Sequence, residues 1–187
     1  MVVRIQPRIR FTYEDYKHLP ESETKRYELL DGELIMVPAP SIGHQRVSRN
    51  ILLLLGAYLR EHPRGEILDA PCDVRLGEDV VQPDVIYITN ERRTIIKEEA
   101  VEGAPDVVIE ILSPVTAGRD RTYKRTLYAR HGVREYWLVD PEERTIEVLQ
   151  LTEAGFKLSA TYNETGTLIS PLFPGLALPL TEVFVEV

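Results

Sequence analysis

The apolar positions of the chain change period several times, and each change marks an element. TYEDYKHLP (12–20) predicts a short helix capped by Thr12 and stopped by Pro20. YELLDGELIMV (27–37) sets Asp31-Gly32 between two apolar arms, the signal of a two-residue hairpin. From about Ile42 to His62 the period becomes helical, with Val47, Ile51, Leu54, Leu55 and Tyr58 on one side and Ser41 as the cap. EILDAPCDVRL and VVQPDVIYI then read as strands flanking the turn GEDV, and DVVIEIL as a strand after a polar segment at 90–104. RDRTYKRTLYARHG predicts a helix that starts at about Arg121, with Asp120 at its N-cap and Gly132 just past its end. REYWLVD is a further strand, and TIEVLQL and GFKLSATY form a hairpin around Glu153–Gly155. The tail SPLFPGLALPLTEVF predicts an irregular apolar cover.

The middle of the chain thus runs helix, strand, strand, strand, helix, strand. The strand-helix-strand unit at 107–140 predicts a parallel pair with a right-handed crossover, whereas the strands before it are joined too tightly for crossovers and are expected to be antiparallel. The fold class is α/β, of the α+β mixed-sheet type. The expected organisation is one domain over 1–187, with a core at about 41–141, an N-terminal helix and hairpin at 12–37 and a C-terminal β extension at 142–187.

Composition narrows the setting. The chain has 187 residues, 43% hydrophobic and 28% charged, as ordinary globular domains do. Its formal net charge of −8 leaves no global field to attract a polyanion, so such a partner needs a local basic patch. Cys72 is the single cysteine, which excludes an intrachain disulfide and a thiolate zinc cluster. The opening MVVRIQPRIRFTYEDY lacks the apolar stretch of a signal peptide, and ILLLL (51–55) is far too short to span a bilayer. A cytoplasmic protein without membrane contact is expected.

Against this background a few polar positions stand out. Glu110 lies among Val107, Val108, Ile109, Ile111 and Leu112, where a strand buried on both faces is expected. A carboxylate there needs a partner, a metal or a proton. Asp84, after Pro83, begins the strand VIYI. If the two strands are neighbours in register, these carboxylates converge, and hard oxygen ligands of this kind suit Mg²⁺ or Mn²⁺. The plainer reading has Asp84 at a solvated strand end and Glu110 paired with an arginine. Lys124 shares a helix face with Leu127, Tyr128 and His131 and either leans over the strand ends or forms an exposed i, i+4 pair with Asp120. The same helix is locally basic, and Arg119, Arg121 and Arg125 are candidates for contacting nucleic-acid phosphates. His44 shares a face with Ser48, Ile51 and Leu55, as a hydrogen-bonded structural histidine or as part of a site. Glu28 points with Leu30, toward a site or toward solvent.

YELLDGEL, PSIGHQ, QPDVIYI, PDVVIEILSP, the Asp120–Lys124 pair, HGVREYWLVDP and LFPGL, in this order from about Tyr13 to Phe184, resemble the Uma-type family of bacterial endonucleases. That family is placed in the restriction-endonuclease-like, PD-(D/E)xK superfamily. The resemblance implies the same core order that the pattern predicts. It implies metal ligation by Asp84 and Glu110 with a backbone carbonyl near Ile111, Mg²⁺ or Mn²⁺ as cofactor, and hydrolysis of DNA to 5′-phosphate and 3′-hydroxyl ends. The superfamily's usual lysine would stand at Leu112, so Lys124 on the helix takes its place. Glu28 and His44 match recurrent positions and are auxiliary. A homodimer is expected, with the apolar tail as a possible interface. The alternatives are a catalytically inactive module that binds nucleic acid or a partner, favoured by Leu112 and the acidic charge, and a phosphodiesterase for small nucleotides.

Overall fold

The computed structural model describes residues 9–20 and 26–185. Residues 1–8, which bear on a leader sequence, lie outside them. Helix α1 (Tyr13–Lys17) is fixed by a capping box in which Thr12 and Asp15 each bond the other's backbone N–H. Strands β1 (Arg26–Leu30) and β2 (Glu33–Val37) pair antiparallel around Asp31-Gly32, both at positive φ, 48° and 76°. These are the angles that the Asp-Gly turn was expected to supply. Helix α2 (Ile42–Glu61) starts where Ser41 Oγ accepts from the His44 N–H at 3.1 Å.

The two long strands expected around GEDV are each divided. EILDAPCDVRL becomes β3 (Gly65–Asp69) and β4 (Val74–Leu76), and VVQPDVIYI becomes β5 (Asp79–Val81) and β6 (Val85–Thr89). Pro71 and Pro83 stand at the divisions. Proline has no N–H to give to a ladder, so each strand leaves one sheet there and enters another. A 3₁₀ turn (Asn90–Ile95) and β7 (Val101–Glu102) occupy the polar segment before β8 (Val107–Ile111).

The second helical stretch starts earlier than expected. It runs without a break through α3 (Ala117–Arg119), a π-helical turn (Asp120–Lys124) and α4 (Arg125–His131), ending at Gly132 in the left-handed region with φ 87°. Asp120 is therefore no N-cap. It lies inside the helix, in the π turn, buried. Strand β9 (Glu135–Asp140), the hairpin of β10 (Thr145–Thr152) and β11 (Gly155–Asn163), the short pair β12 (Thr167–Leu168) and β13 (Leu178–Pro179), and α5 (Leu180–Val183) complete the chain.

The central sheet has six strands in the order β11-β10-β9-β8-β6-β3. The β8–β9 pair is parallel and β3–β6 and β6–β8 are antiparallel, as expected. A second sheet of five strands, β2-β1-β5-β4-β7, carries the N-terminal hairpin. One face of the central sheet, with Tyr87, Ile109, Trp137 and Val139, packs on α2 and on the tail residues Phe173, Leu180 and Phe184. The other face, with Ile86, Val108 and Tyr136, packs on Leu127 and Tyr128 of α4 and on Leu30, Val74 and Val81 of the second sheet. Most large apolar side chains of the tail are thus committed to the core. Among the described residues no helix is long and apolar enough to cross a membrane.

Candidate active site

Strand register decides where the acids meet. Val85 of β6 stands opposite Ile109 of β8, so the next position outward places Asp84 against Glu110. Asp84 is held from two sides. Its Oδ2 accepts the Ile111 N–H at 2.7 Å, and its Oδ1 lies 3.2 Å from His44 Nε2. The Ser41 cap and the first turn of α2 bring His44 to that position. Glu110 faces α4, where Lys124 Nζ donates to its Oε1 at 2.9 Å and the Tyr128 hydroxyl donates to the same oxygen at 2.7 Å.

Lys124 is the centre of the arrangement. Besides Glu110 it reaches Glu28 Oε1 at 2.8 Å and Asp120 Oδ1 at 3.6 Å. Glu28 arrives from β1 and is fixed by the Gln82 N–H, which donates to Oε1 at 2.9 Å. The Asp120–Lys124 pair exists, but it is buried rather than exposed: their side chains are 2% and 6% accessible. The π turn carries both residues on one buried face, and such turns are frequent at functional sites. Leu112, where a lysine would ordinarily follow the strand glutamate, is buried in the core and offers no charge.

The electrostatics follow from burial. Desolvation pushes the Glu110 carboxyl well above its ordinary range, a rise that the Lys124 ammonium opposes and that Asp120, Asp84 and Glu28 reinforce. Burial likewise raises Asp120, against the pull of Lys124. For Lys124 burial alone acts downward, but Glu110, Glu28 and Asp120 together outweigh it and keep the amine protonated. Burial and then Glu110 push the Tyr128 phenol well up, so it stays a donor.

All five expected residues, Asp84, Glu110, Lys124, Glu28 and His44, line one cleft of about 1150 Å³. Arg119 lines it as well. Arg121 and Arg125 do not: Arg121 Nη1 lies 2.9 Å from Glu147 Oε1, and Arg125 Nη2 donates to the Phe156 carbonyl at 2.8 Å, near the C-terminal hairpin. Three residues of the site escape a reading of the sequence. Tyr128 has the spacing of an ordinary sheet contact, Gln82 precedes a proline in a strand-like run, and Asp120 looks like a cap. Tyr128 and Gln82 are signalled only by proximity to Lys124 and Asp84 in sequence, and Asp120 only by its i, i+4 spacing from Lys124. Among the described residues three buried side-chain atoms have no hydrogen-bond partner, His44 Nδ1, Gln82 Oε1 and Asp120 Oδ1, and their residues all line this cleft. Among the described residues no three histidine, cysteine or acidic side chains form a ready-made metal cage; the acids gather around an ammonium instead.

Similar proteins give this arrangement a setting. A crystal structure described as a "putative nuclease belonging to DUF820" from Anabaena variabilis superposes with a TM-score of 0.78 over 93% of this chain and 97% of its own, at 21% identity. The uncharacterized protein sll1609 of Synechocystis sp. is 28% identical over 134 residues, covering 69% of this chain and 74% of its own. The sequence profile of the Uma2 family, described as "Putative restriction endonuclease", matches residues 13–181. With nearly the whole sequence matched and the helix-strand-strand-strand-helix-strand core in place, this chain belongs to the Uma2 family of restriction-endonuclease-like proteins.

Proposed function

We propose that the chain is a divalent-metal-dependent endonuclease that hydrolyses DNA phosphodiester bonds in the cleft beside Glu110. One observation carries this reading: three carboxylates, Glu28, Glu110 and Asp120, surround a single ammonium, a fourth, Asp84, stands opposite Glu110 on the neighbouring strand, and all four line an open cleft. Such an excess of hard, negative oxygen, beside three polar atoms that make no hydrogen bond among the described residues, fits Mg²⁺ or Mn²⁺. Asp84, Glu110 and the Ile111 carbonyl are the residues to hold it. Bound there, the cation would polarise a phosphate oxygen and acidify a water.

The chain's own groups set up that site. The Ile111 N–H and His44 fix the two oxygens of Asp84. Lys124 and Tyr128 both use Oε1 of Glu110, which leaves Oε2 for the cation. Lys124 supplies a fixed positive charge one hydrogen bond from Glu110 and there offsets the charge that develops on the phosphate in the transition state. Glu28 and Asp120 hold the ammonium in place. Two copies would present one cleft to each strand of a duplex, and exposed Leu53 and Val115 at the rim offer apolar surface for that pairing. Sedimentation at the mass of one chain would remove the dimer from the proposal.

The test is incubation of the purified protein with plasmid and single-stranded DNA, in Mg²⁺ or Mn²⁺, beside Glu110→Ala. Cleavage by the wild type that vanishes in the variant is the expected result. Absence of cleavage together with a salt-sensitive gel shift would replace the enzyme by an inactive binding module, the reading that Leu112 favours.

A further inference from the structure

Four acids at the cleft, in a protein of net charge −8, repel the substrate that the site is read to cleave. A phosphate backbone reaches Glu110 only if local positive charge holds it. The sequence places that charge on the basic helix, at Arg119, Arg121 and Arg125. Of these only Arg119 lines the cleft.

Three arginines line the cleft, each on a different element and each close in sequence to a member of the cluster. Arg26 opens β1 two residues before Glu28, and strand alternation puts both side chains on one face. Arg49 lies on α2, five residues after His44. Arg119 immediately precedes Asp120. Among the described residues, Arg26 and Arg119 make no ion pair, and Arg49 meets only the neutral Asn50 Oδ1, through Nε at 3.2 Å and Nη2 at 2.9 Å. No described acid pairs with any of the three. Many other guanidinium groups are matched to acids: Arg92 and Arg134 to Asp106, Arg93 to Glu66, Arg130 to Asp79, Arg121 to Glu147.

We infer that Arg26, Arg49 and Arg119 form a phosphate clamp that grips the DNA backbone around the bond presented to Glu110. The inference rests on the nuclease reading and assigns contacts within the same cleft. Guanidinium is suited to the task because its fork of donors matches phosphate oxygens two at a time. Contacts of this type position the strand and carry no sequence information. Arg121 and Arg125 stay with Glu147 and the Phe156 carbonyl and do not contact the strand.

The experiment measures affinity of the full chain for a labelled oligonucleotide, single-stranded and duplex, across a salt series, with Ca²⁺ in place of Mg²⁺. Each neutralised phosphate contributes about 0.9 to the log–log salt slope on a duplex and about 0.7 on a single strand. The triple variant Arg26→Gln, Arg49→Gln, Arg119→Gln is therefore expected to flatten the slope by about 2 to 3 units and to weaken binding at least tenfold, roughly. The matching triple Arg→Lys variant keeps the slope, which separates loss of charge from loss of fold. Arg121→Gln, Arg125→Gln leaves it unchanged. An unaltered slope in the glutamine triple, with wild-type cleavage intact, overturns the clamp and leaves the nuclease standing. A slope lost in the Arg121, Arg125 variant moves the clamp to the helix face. Wild-type protein that neither binds nor cleaves DNA removes both.

Discussion

Two glutamates on neighbouring strands of the central sheet, three residues apart in register, face opposite ways. Glu110 is on β8 and Glu135 on the parallel neighbour β9, and both are nearly inaccessible, at 4% and 2%. Glu135 faces the covered side. It accepts from the Trp137 indole at 2.9 Å, from the Ser170 hydroxyl at 2.8 Å and from the Gln150 amide at 3.4 Å, so neutral donors satisfy it and tie the tail to the sheet. Glu110 faces the cleft side and is surrounded by three further acids and one lysine. A buried carboxylate therefore identifies no site by its burial. What separates the two is the company: neutral donors close the account of one, while three further acids crowd the other around a single ammonium.

The sharpest way to break this contrast is to remove the cation each side relies on, or lacks. Lys124→Met leaves Glu28, Glu110 and Asp120 buried without a countercharge, and the expected loss of stability is about 3–5 kcal/mol by urea unfolding. Ser170→Ala withdraws one neutral donor from Glu135 and is expected to cost about 1–3 kcal/mol. Equal losses would mean that the cluster carries no special electrostatic load.

Activity should divide the two glutamates more cleanly still. Glu110→Gln keeps the shape of the side chain but removes the charge proposed to hold the metal, and cleavage is expected to fall about a hundredfold or more. Glu135→Gln is expected to lower the melting temperature and leave the cleavage rate within about threefold, as a group remote from the chemistry should. A nuclease indifferent to Glu110→Gln would place its chemistry elsewhere in the molecule.

The sequence makes one member of this pair conspicuous and hides the other. Glu110 interrupts a run of branched apolar residues, and Asp84 precedes a strand of the same kind, so their convergence follows from alternation and register. The order of core elements is equally legible, because strand and helix periods differ. Glu135 sits at a strand start, where an acid attracts no notice, and its partners Ser170 and Gln150 come from remote segments. The division of two long strands between two sheets is written only in Pro71 and Pro83, which lie inside segments that read as single strands. The π turn leaves no local signal. It depends on burying Asp120 and Lys124 against strands folded elsewhere, which is why Asp120 resembles a cap and the Arg121 and Arg125 side chains are misplaced when helix positions alone are counted.

A smaller effect sharpens the cleft side by itself. His44 touches Asp84, so on the proposed reading it orients a ligand rather than supplying one. His44→Ala is expected to weaken Mn²⁺ binding about tenfold, the lower end for groups that orient ligands. His44→Gln should recover part of it. Calorimetric titration measures both, and an alanine variant with wild-type affinity would reduce His44 to a packing residue.

The last difference is one of protons. Burial raises Glu110 well above the ordinary glutamate value of 4.5. A carboxyl raised in the folded state adds stability that is fully present below its unfolded value and is lost as pH climbs through its folded value. The metal-free protein should therefore lose stability across that window, since the unfolded chain releases the proton more readily. Mn²⁺ needs the carboxylate, so it competes with that same proton. Its affinity should rise with pH, by up to about tenfold per unit for a single proton released, and level off above the raised value. Added Mn²⁺ should then restore the melting temperature most at the alkaline end. Titrations from acid to mildly alkaline pH, repeated with Glu110→Gln, test this directly: an affinity that ignores pH in the wild type would mean that the cation does not displace a proton from Glu110, and the contrast with Glu135 would lose its chemical basis.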